Sequence, residues 1–512
     1  MYTRDDQNNK PNILFIMVDQ MAPQVLPFYG GAIVKAPHLS TLAEGGVVFD
    51  SAYCNSPLCA PSRYVLMSGQ LPTAIGAYDN AAEFAADTPT YAHYLRQAGY
   101  RTASSGKMHF CGPDQLHGFE ERLTTDIYPA DYGWFPDWEN FAQRPTWYHN
   151  MSSVTQAGTC VRSNQLDFDD EVIFQAQRYL YDHVRGNDER PFCLTVSMTH
   201  PHDPYAITKE YWDRYRDEDI DLPTVSIAPE DLDPHSKRLH HVYAMSEQDI
   251  TEQQIRNARR AYYGAISYID DQIGKLLKTL GETGLEDDTI IVFSGDHGDM
   301  LGERGLWYKM SWFEWSARVP MIIHAPKRFA PSRVKQSVST MDLMPTFVGL
   351  GNDGRSPSFA NPIDGRSLLP HLQGSGGHDE VIGEFLGEGT IAPLFMIRRG
   401  DYKFVSSKTD PDQLFNLQED AQELINLAED PAHADVLTAF KKEAAERWDV
   451  EQITRDVILS QRRRRMVAAA LKQGKQVAWD HQPMFDASRM YMRNNVDLDD
   501  LEKRARFPQV DN

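Results

Sequence analysis

The chain has 512 residues, 41% hydrophobic and 24% charged, the profile of a soluble globular protein long enough for two or three domains. Its formal net charge of −22 excludes nonspecific binding to nucleic acid or to an anionic membrane as the main activity, and means that an anionic ligand must be drawn in by local positive charge. Five cysteines, at 54, 59, 111, 160 and 193, are an odd and sparse set that fits reduced thiols rather than a disulfide framework. The first ten residues are polar and the apolar run after them is far too short to span a membrane, so a cytoplasmic location is expected.

Asn12 to Val18 (NILFIMV) is a continuous apolar run, expected as a strand covered on both faces. It ends at Asp19-Gln20, where open α/β sheets collect ligands, so Asp19 is either a metal ligand or the cap of a turn. In Cys59 to Gly69 (CAPSRYVLMSG), Pro61 suits the first turn of a helix and Gly69 its end. Cys59 then sits at a helix N-terminus, where free N–H groups attract an anion and Arg63 adds a fork of donors; on its own it reads equally as a buried thiol. Thr88 to Ala98 has helical spacing, and Tyr100 to Ser104 is a short strand leading to Lys107 and His109, which project to one face.

Between Pro113 and Asn150 lies an aromatic-rich, loop-like region containing Tyr132, Trp134, Trp138, Trp147, Tyr148 and His149. Such a cluster either binds a quaternary ammonium by cation–π attraction or anchors the loop. Phe192 to Met198 is a second buried strand, and the prolines after it leave His200 at its carboxyl end, with Asp203 structural. Thr251 to Leu280 is a long amphipathic helix, and Thr289 to Phe293 a strand that delivers Asp296-His297 and then Lys309. Met321 to His324 reads as a strand, Ser339 to Leu350 as a helix, Ser356 to Gly377 as a linker and Met396 to Val405 as a hairpin. From Asp435 the chain turns helical and charged; Arg462 to Arg465 reads as a solvated helix face or a subunit contact, and Trp479 to Asn495 is too aromatic for a disordered tail.

The order Cys59-x-Pro61-Ser62-Arg63, with Leu66 and Gly69 in step, resembles the signature of the type I sulfatase family, in which the cysteine is oxidised to formylglycine; Ser68 stands where threonine is usual. Gly106-Lys107-x-His109 resembles a second family element, and Asp296-His297 with Lys309 a third. Gln20 in place of an aspartate and His297 in place of an asparagine are shared with the phosphonate monoester hydrolase branch. Tyr78 to Glu83, Cys111 to Trp134 and Trp479 to Asn495 are similar to the branch acting on choline O-sulfate, and this likeness covers essentially the whole chain.

The resemblance implies an α/β fold: an alkaline-phosphatase-like core with a large mixed sheet between helices over 1–375, a smaller C-terminal α+β domain over 376–432, and a helical or extended tail over 433–512. It implies hydrolysis of choline O-sulfate to choline and sulfate, with Asp19, Gln20, Asp296 and His297 holding one divalent metal, Ca²⁺ or alternatively Mn²⁺. Formylglycine made from Cys59 by a maturation system offers, once hydrated, one hydroxyl to attack sulfur; the other, with His109 as base, expels sulfate. Arg63, Lys107 and Lys309 stabilise the sulfate oxygens, and His200 or Lys309 protonates the leaving choline. Asn80, Trp134, His149 and Glu388 receive the ammonium end, and the tail makes a homo-oligomer, dimer or tetramer. The alternatives are a phosphonate or phosphate monoester hydrolase of the same superfamily and a noncatalytic choline- or metal-binding protein.

Overall fold

In the computed structural model, Asn12–Val18 forms strand β1, buried along its whole length. The structure describes residues 10–484 apart from 353, 355–357 and 476, and beyond them 488, 500, 504 and 507; the Tyr491 to Asn495 part of the expected tail therefore lies outside the described residues. With β1, seven strands form a central sheet: β2 (Val47–Tyr53), β3 (Arg101–Gly106), β4 (Glu121–Arg122), β5 (Phe192–Met198), β6 (Thr289–Gly295), β7 (Met321–His324) and β8 (Ser332–Ser339), in the order β8-β2-β7-β6-β1-β5-β3-β4. Only β7 runs antiparallel to its neighbours β2 and β6, which makes the sheet mixed.

Register decides where the site falls. Val18 lies opposite both Met198 and Gly295, and Gly106 lies opposite Ser197, so β3, β5, β1 and β6 end nearly level. Lys107, Thr199, Asp19 and Asp296 therefore leave one edge together, at the carboxyl ends of four adjacent parallel strands. Gly106 makes this possible: its φ is +108°, and a Cβ there would meet the Ser197 carbonyl oxygen at 2.0 Å.

Alternate residues of β1 serve opposite layers. Leu14, Ile16 and Val18 pack with Ile266, Ile269 and Ile273 of the helix Glu252–Thr283, whereas Ile13, Phe15 and Met17 pack with Tyr91, Leu95 and Phe347. The strand is hydrophobic throughout because both faces are covered. Four antiparallel strands, β9 (Glu380–Phe385), β10 (Leu394–Arg399), β11 (Tyr402–Ser407) and β12 (Asp410–Asn416), form the second sheet. Val381, Phe385, Leu394 and Met396 join the core containing Leu14, while Ile382, Phe395, Ile397 and Phe404 pack with Phe440 and Trp448. Helices Ala434–Arg447 and Val450–Leu471 follow. Of the arginine run, Arg462, Arg463 and Arg465 are exposed, as a solvated face requires, with Arg462 and Arg465 pairing with Glu139 and Asp137, whereas Arg464 turns inward and is 6% exposed.

Candidate active site

The helix Cys59–Ser68 follows extended Leu58 and closes at Gly69, whose φ of 69° is the left-handed conformation a helix C-terminus favours. No local side chain caps its start; instead Asn80 Oδ1 accepts from the Ala60 N–H at 3.0 Å. Cys59 Sγ lies 3.3 Å from His297 Nε2 and 3.8 Å from Asp19 Oδ1. Burial opposes ionisation of the thiol, but Lys107, Lys309 and His297 hold its pKa well below the ordinary value.

Ligand atoms of Asp19, Cys59, Asp296 and His297 all lie within 4.8 Å of one another, in full burial. Two buried carboxylates this close repel unless a cation lies between or beside them. Arg63 supplies part of that charge: Nε donates to Asp296 Oδ2 at 2.9 Å and Nη2 to Asp19 Oδ2 at 3.2 Å, while Nη1 donates to Ser197 Oγ at 2.8 Å and the Lys107 carbonyl at 2.6 Å. Lys107 Nζ donates to Asp19 Oδ2 as well and lies over the Tyr128 ring. Burial pushes Asp19 up and these cations pull it down, leaving its pKa at about 2. Asp19 Oδ1 is left to the cluster, a donor set of carboxylate oxygen and imidazole nitrogen that fits a divalent cation. In this structure the donors of Arg63 and Lys107, expected at the sulfate oxygens, are turned to carboxylates, and neither residue lines the cavity that Cys59 enters. Gln20 is likewise engaged, Nε2 donating to Asp299 Oδ2 at 2.7 Å and Oε1 accepting from Lys309 Nζ at 2.6 Å.

Cys59 opens into a cavity of about 160 Å³ lined also by Asn80, His109, Trp134, His149, His202, Lys309 and Glu388. His200, the histidine expected at the substrate, is not among the lining residues, whereas His202 is. The carboxylate of Asp169, from the helix Asn164–Arg185, accepts the Thr199 and His200 N–H groups at 2.6 and 3.0 Å and holds His200 Nδ1 at 2.6 Å. A turn closed by His202 N–H to the Thr199 carbonyl then brings His202 to the cavity. Its Nδ1 lies 2.7 Å from the Asp203 carbonyl and its Nε2 2.8 Å from Lys309 Nζ. Asp203, expected to be structural, carries Oδ1 near His202 and Oδ2 near His149, at 3.2 and 3.5 Å. Lys309 is fixed between Tyr308 and Met310, both in the left-handed region at φ 64° and 75°, a costly backbone of the kind that collects at functional sites.

His109 enters through Gly106-Lys107, its backbone N–H donating to Asp126 Oδ2 at 2.9 Å. Both ring nitrogens are buried without a protein partner, and burial lowers the imidazole pKa. Trp134 packs edge-on to His109 and Tyr128, and His149 stacks on Tyr308 at 4.8 Å. Trp147, Tyr148 and Tyr128 complete an aromatic wall. Glu388, between β9 and β10, is 2% exposed with Oε2 unpartnered, and burial pushes its pKa up to about 8. The cavity thus brings Cys59 and Lys309 together with an aromatic wall and a carboxyl oxygen that has no partner, a lining suited to a small ester that carries both an anionic and a cationic group.

Comparisons with known proteins agree with this geometry. The sulfatase family profile matches residues 11–352, and that of the choline sulfatase enzyme C terminal matches 455–507. The chain is 48% identical over 509 residues to the choline-sulfatase of Rhizobium meliloti (strain 1021), covering 98% of this chain and 99% of that protein. It is 28% identical over 466 residues to an arylsulfatase of Clostridium perfringens (strain 13 / Type A), covering 85% and 93%. Its fold matches the phosphonate monoester hydrolase of Agrobacterium radiobacter with a TM-score of 0.68 at 22% identity, over 85% of this chain and 95% of that one.

Proposed function

The chain belongs to the sulfatase family, and on that footing we propose that this sulfuric ester hydrolase cleaves choline O-sulfate to choline and sulfate. The observation that carries the choice of ester is one cavity lined by Cys59 and Lys309 together with Trp134, Trp147, Tyr148 and Glu388, whose Oε2 has no partner. Similarity to a choline-sulfatase over the whole chain supports it.

Asp19, Asp296 and His297 would hold the divalent metal, which when bound would offset sulfate charge and acidify the nucleophile. We favour Ca²⁺; the His297 nitrogen makes Mn²⁺ the alternative. Formylglycine at position 59, installed by a maturation system, adds water to its aldehyde and so supplies a hydroxyl nucleophile where the thiol now sits. Arg63 and Lys107 act by positioning: they set the orientation of Asp19 and Asp296. Lys309 faces the cavity and offers its ammonium to sulfate oxygens. Choline is a poor leaving group, so its oxygen needs a proton; the Lys309 ammonium gives it, held at the cavity by His202, whose Nε2 accepts from Lys309 Nζ at 2.8 Å while its Nδ1 faces the Asp203 carbonyl at 2.7 Å. His109, kept neutral by burial and free of protein partners, takes the proton in the step that expels sulfate. At the far end Glu388 pairs with the trimethylammonium group, which Trp134 and Trp147 enclose while Asn80 and His149 fix the rim.

Among the described residues, no helix is long and apolar enough to cross a membrane. All five cysteines are free, which supports cytoplasmic residence. Exposed Met466, Leu471, Val477 and Met484 support self-association of the C-terminal segment as a dimer or tetramer. The domain division at about 375 and 432 follows the onset of β9 and of the C-terminal helices.

The test is sulfate release from choline O-sulfate by protein whose residue 59 and metal content have been determined by mass spectrometry and elemental analysis. Turnover well above that of an aryl phosphonate is expected. Faster hydrolysis of the phosphonate, or no sulfate release from converted and metal-loaded protein, overturns the assignment.

A further inference from the structure

The helix Val450–Leu471 contributes no lining residue to the cavity, yet it touches each of three loops that build the alcohol-binding end. Arg464 Nη1 and Nη2 donate to Asp79 Oδ1 and Oδ2 at 2.5 and 2.7 Å, with the two side chains 8% and 0% exposed. Asp79 immediately precedes Asn80, whose Oδ1 caps the Cys59 helix and which lines the cavity. One turn earlier, buried Gln461 accepts the Trp138 N–H through Oε1 at 3.1 Å. Arg464 and Arg465 lie over the Phe135 ring, and Arg462 and Arg465 pair with Glu139 and Asp137, all within five residues of Trp134. Fully buried Val457 packs in one cluster with Trp138 and Leu386, two residues before Glu388.

These contacts differ in strength. Arg462–Glu139 is exposed, and pairs of that kind contribute little. Arg464–Asp79 is bidentate and buried, a geometry that the point charge of lysine does not reproduce. Neither group is hydrogen-bonded to Cys59, Asp296 or Lys309, and the clamp reaches the Cys59 helix only through Asn80, whose Oδ1 accepts the Ala60 N–H.

We propose that Arg464 is a positioning residue for leaving-group selection: through Asp79, and with the Val457 and Gln461 contacts beside it, the helix holds Asn80, Trp134 and Glu388 in register around the cationic alcohol. The proposal rests on the choline reading given above. It places specificity in a helix about 400 residues along the chain from the nucleophile, and it accounts for an arginine run that an acidic enzyme has no use for in nucleic-acid binding.

The experiment compares choline O-sulfate with 4-nitrophenyl sulfate, which carries no cation, in wild type, Arg464→Lys and Val457→Ala, all with measured conversion of residue 59 and measured metal content. Arg464→Lys is expected to raise KM for choline O-sulfate roughly tenfold or more, with kcat within about threefold and both constants for the aryl ester within about threefold. Val457→Ala, which keeps the ion pair and serves if Arg464→Lys does not fold, shifts the same ratio in the same direction by a smaller factor. A ratio of kcat/KM for the two esters that stays at the wild-type value in both variants overturns the proposal, whether the activities hold or fall together. Wild type without choline O-sulfate turnover overturns the choline reading itself, and that outcome is visible before any variant is made.

Discussion

Replacing Glu388 by glutamine tests the electrostatics of the cavity most directly. With its pKa at about 8, the carboxyl group is about nine-tenths protonated at pH 7 in the free protein, and pairing with a quaternary ammonium requires the anion. Ionising it at pH 7 costs about 1.4 kcal/mol, so each pH unit below 8 weakens binding about tenfold. Choline used as a competitive inhibitor carries only the cationic end of the ester. Its inhibition constant should fall about a hundredfold between pH 6 and pH 8 and level off above. Glu388→Gln should bind choline at high pH about 2–5 kcal/mol more weakly and show no slope. The same carboxyl leaves a mark on stability: a proton held more tightly in the folded state than at the ordinary value of 4.5 means that the native state is favoured at low pH and loses that advantage as pH rises through about 8. The variant's melting temperature should therefore decline less than the wild type's between pH 5 and pH 8. A flat inhibition profile in the wild type, or a slope that survives Glu388→Gln, refutes the argument.

Arg63→Lys removes a guanidinium that bridges Asp19 and Asp296, and a single ammonium cannot serve both; a loss of about 3–5 kcal/mol in thermal or denaturant unfolding and a lower bound-metal content are expected, and wild-type values of both would show that the carboxylates need no clamp. His202→Ala should lower kcat for choline O-sulfate by about 10²–10⁴ while sparing 4-nitrophenyl sulfate, whose leaving group needs no proton. His200→Ala should instead shift unfolding without changing the ratio of the two rates, and the opposite pattern would restore His200 to the chemistry. Gly106→Ala drives a Cβ against the Ser197 carbonyl at a φ of +108°, and should yield insoluble protein or a melting temperature lowered by several degrees on the scale of about 2 °C per kcal/mol; a soluble variant of wild-type stability would contradict the backbone described here.

Much of this arrangement was legible before any coordinates. Asn12–Val18, Phe192–Met198 and Met321–His324 were bounded residue for residue, because doubly covered strands are unbroken apolar runs that stop at polar or proline-containing turns. Pro61 and Gly69 bounded the Cys59 helix in the same way. What the sequence hid was orientation. His200 and His202 are two residues apart, and only the Asp169 carboxylate decides which of them reaches the cavity. Its helix, Asn164–Arg185, went unread, although Leu166, Val172, Ile173, Ala176, Tyr179 and Leu180 recur at helical spacing behind the capping Ser163. Strands Val47–Tyr53 and Ser332–Ser339 also went unread; both carry polar residues that break the apolar run. Arg63, Lys107 and Gln20 announce charge or polarity without naming a partner, and their partners come from strands far away in the chain. Glu388 and Asn80 are reached through family likeness alone, since isolated residues in loops have no periodicity to betray them, whereas Trp134 and His149 stand in an aromatic cluster whose composition names cation binding as one of two readings.

The partners of Arg63 also set an order of events during synthesis. Asp19 is already made when Arg63 appears, but Lys107, Ser197 and Asp296 are not. A ribosome adding 5–20 residues per second takes roughly 10–50 s to travel from position 63 to position 296. For that interval the helix around Cys59 lacks the groups that seal it; afterwards the thiol is 2% exposed and every residue from Cys59 to Ser68 is buried. The conversion proposed for Cys59 would therefore have to precede this closure, and a chain that folds first is locked with its thiol intact.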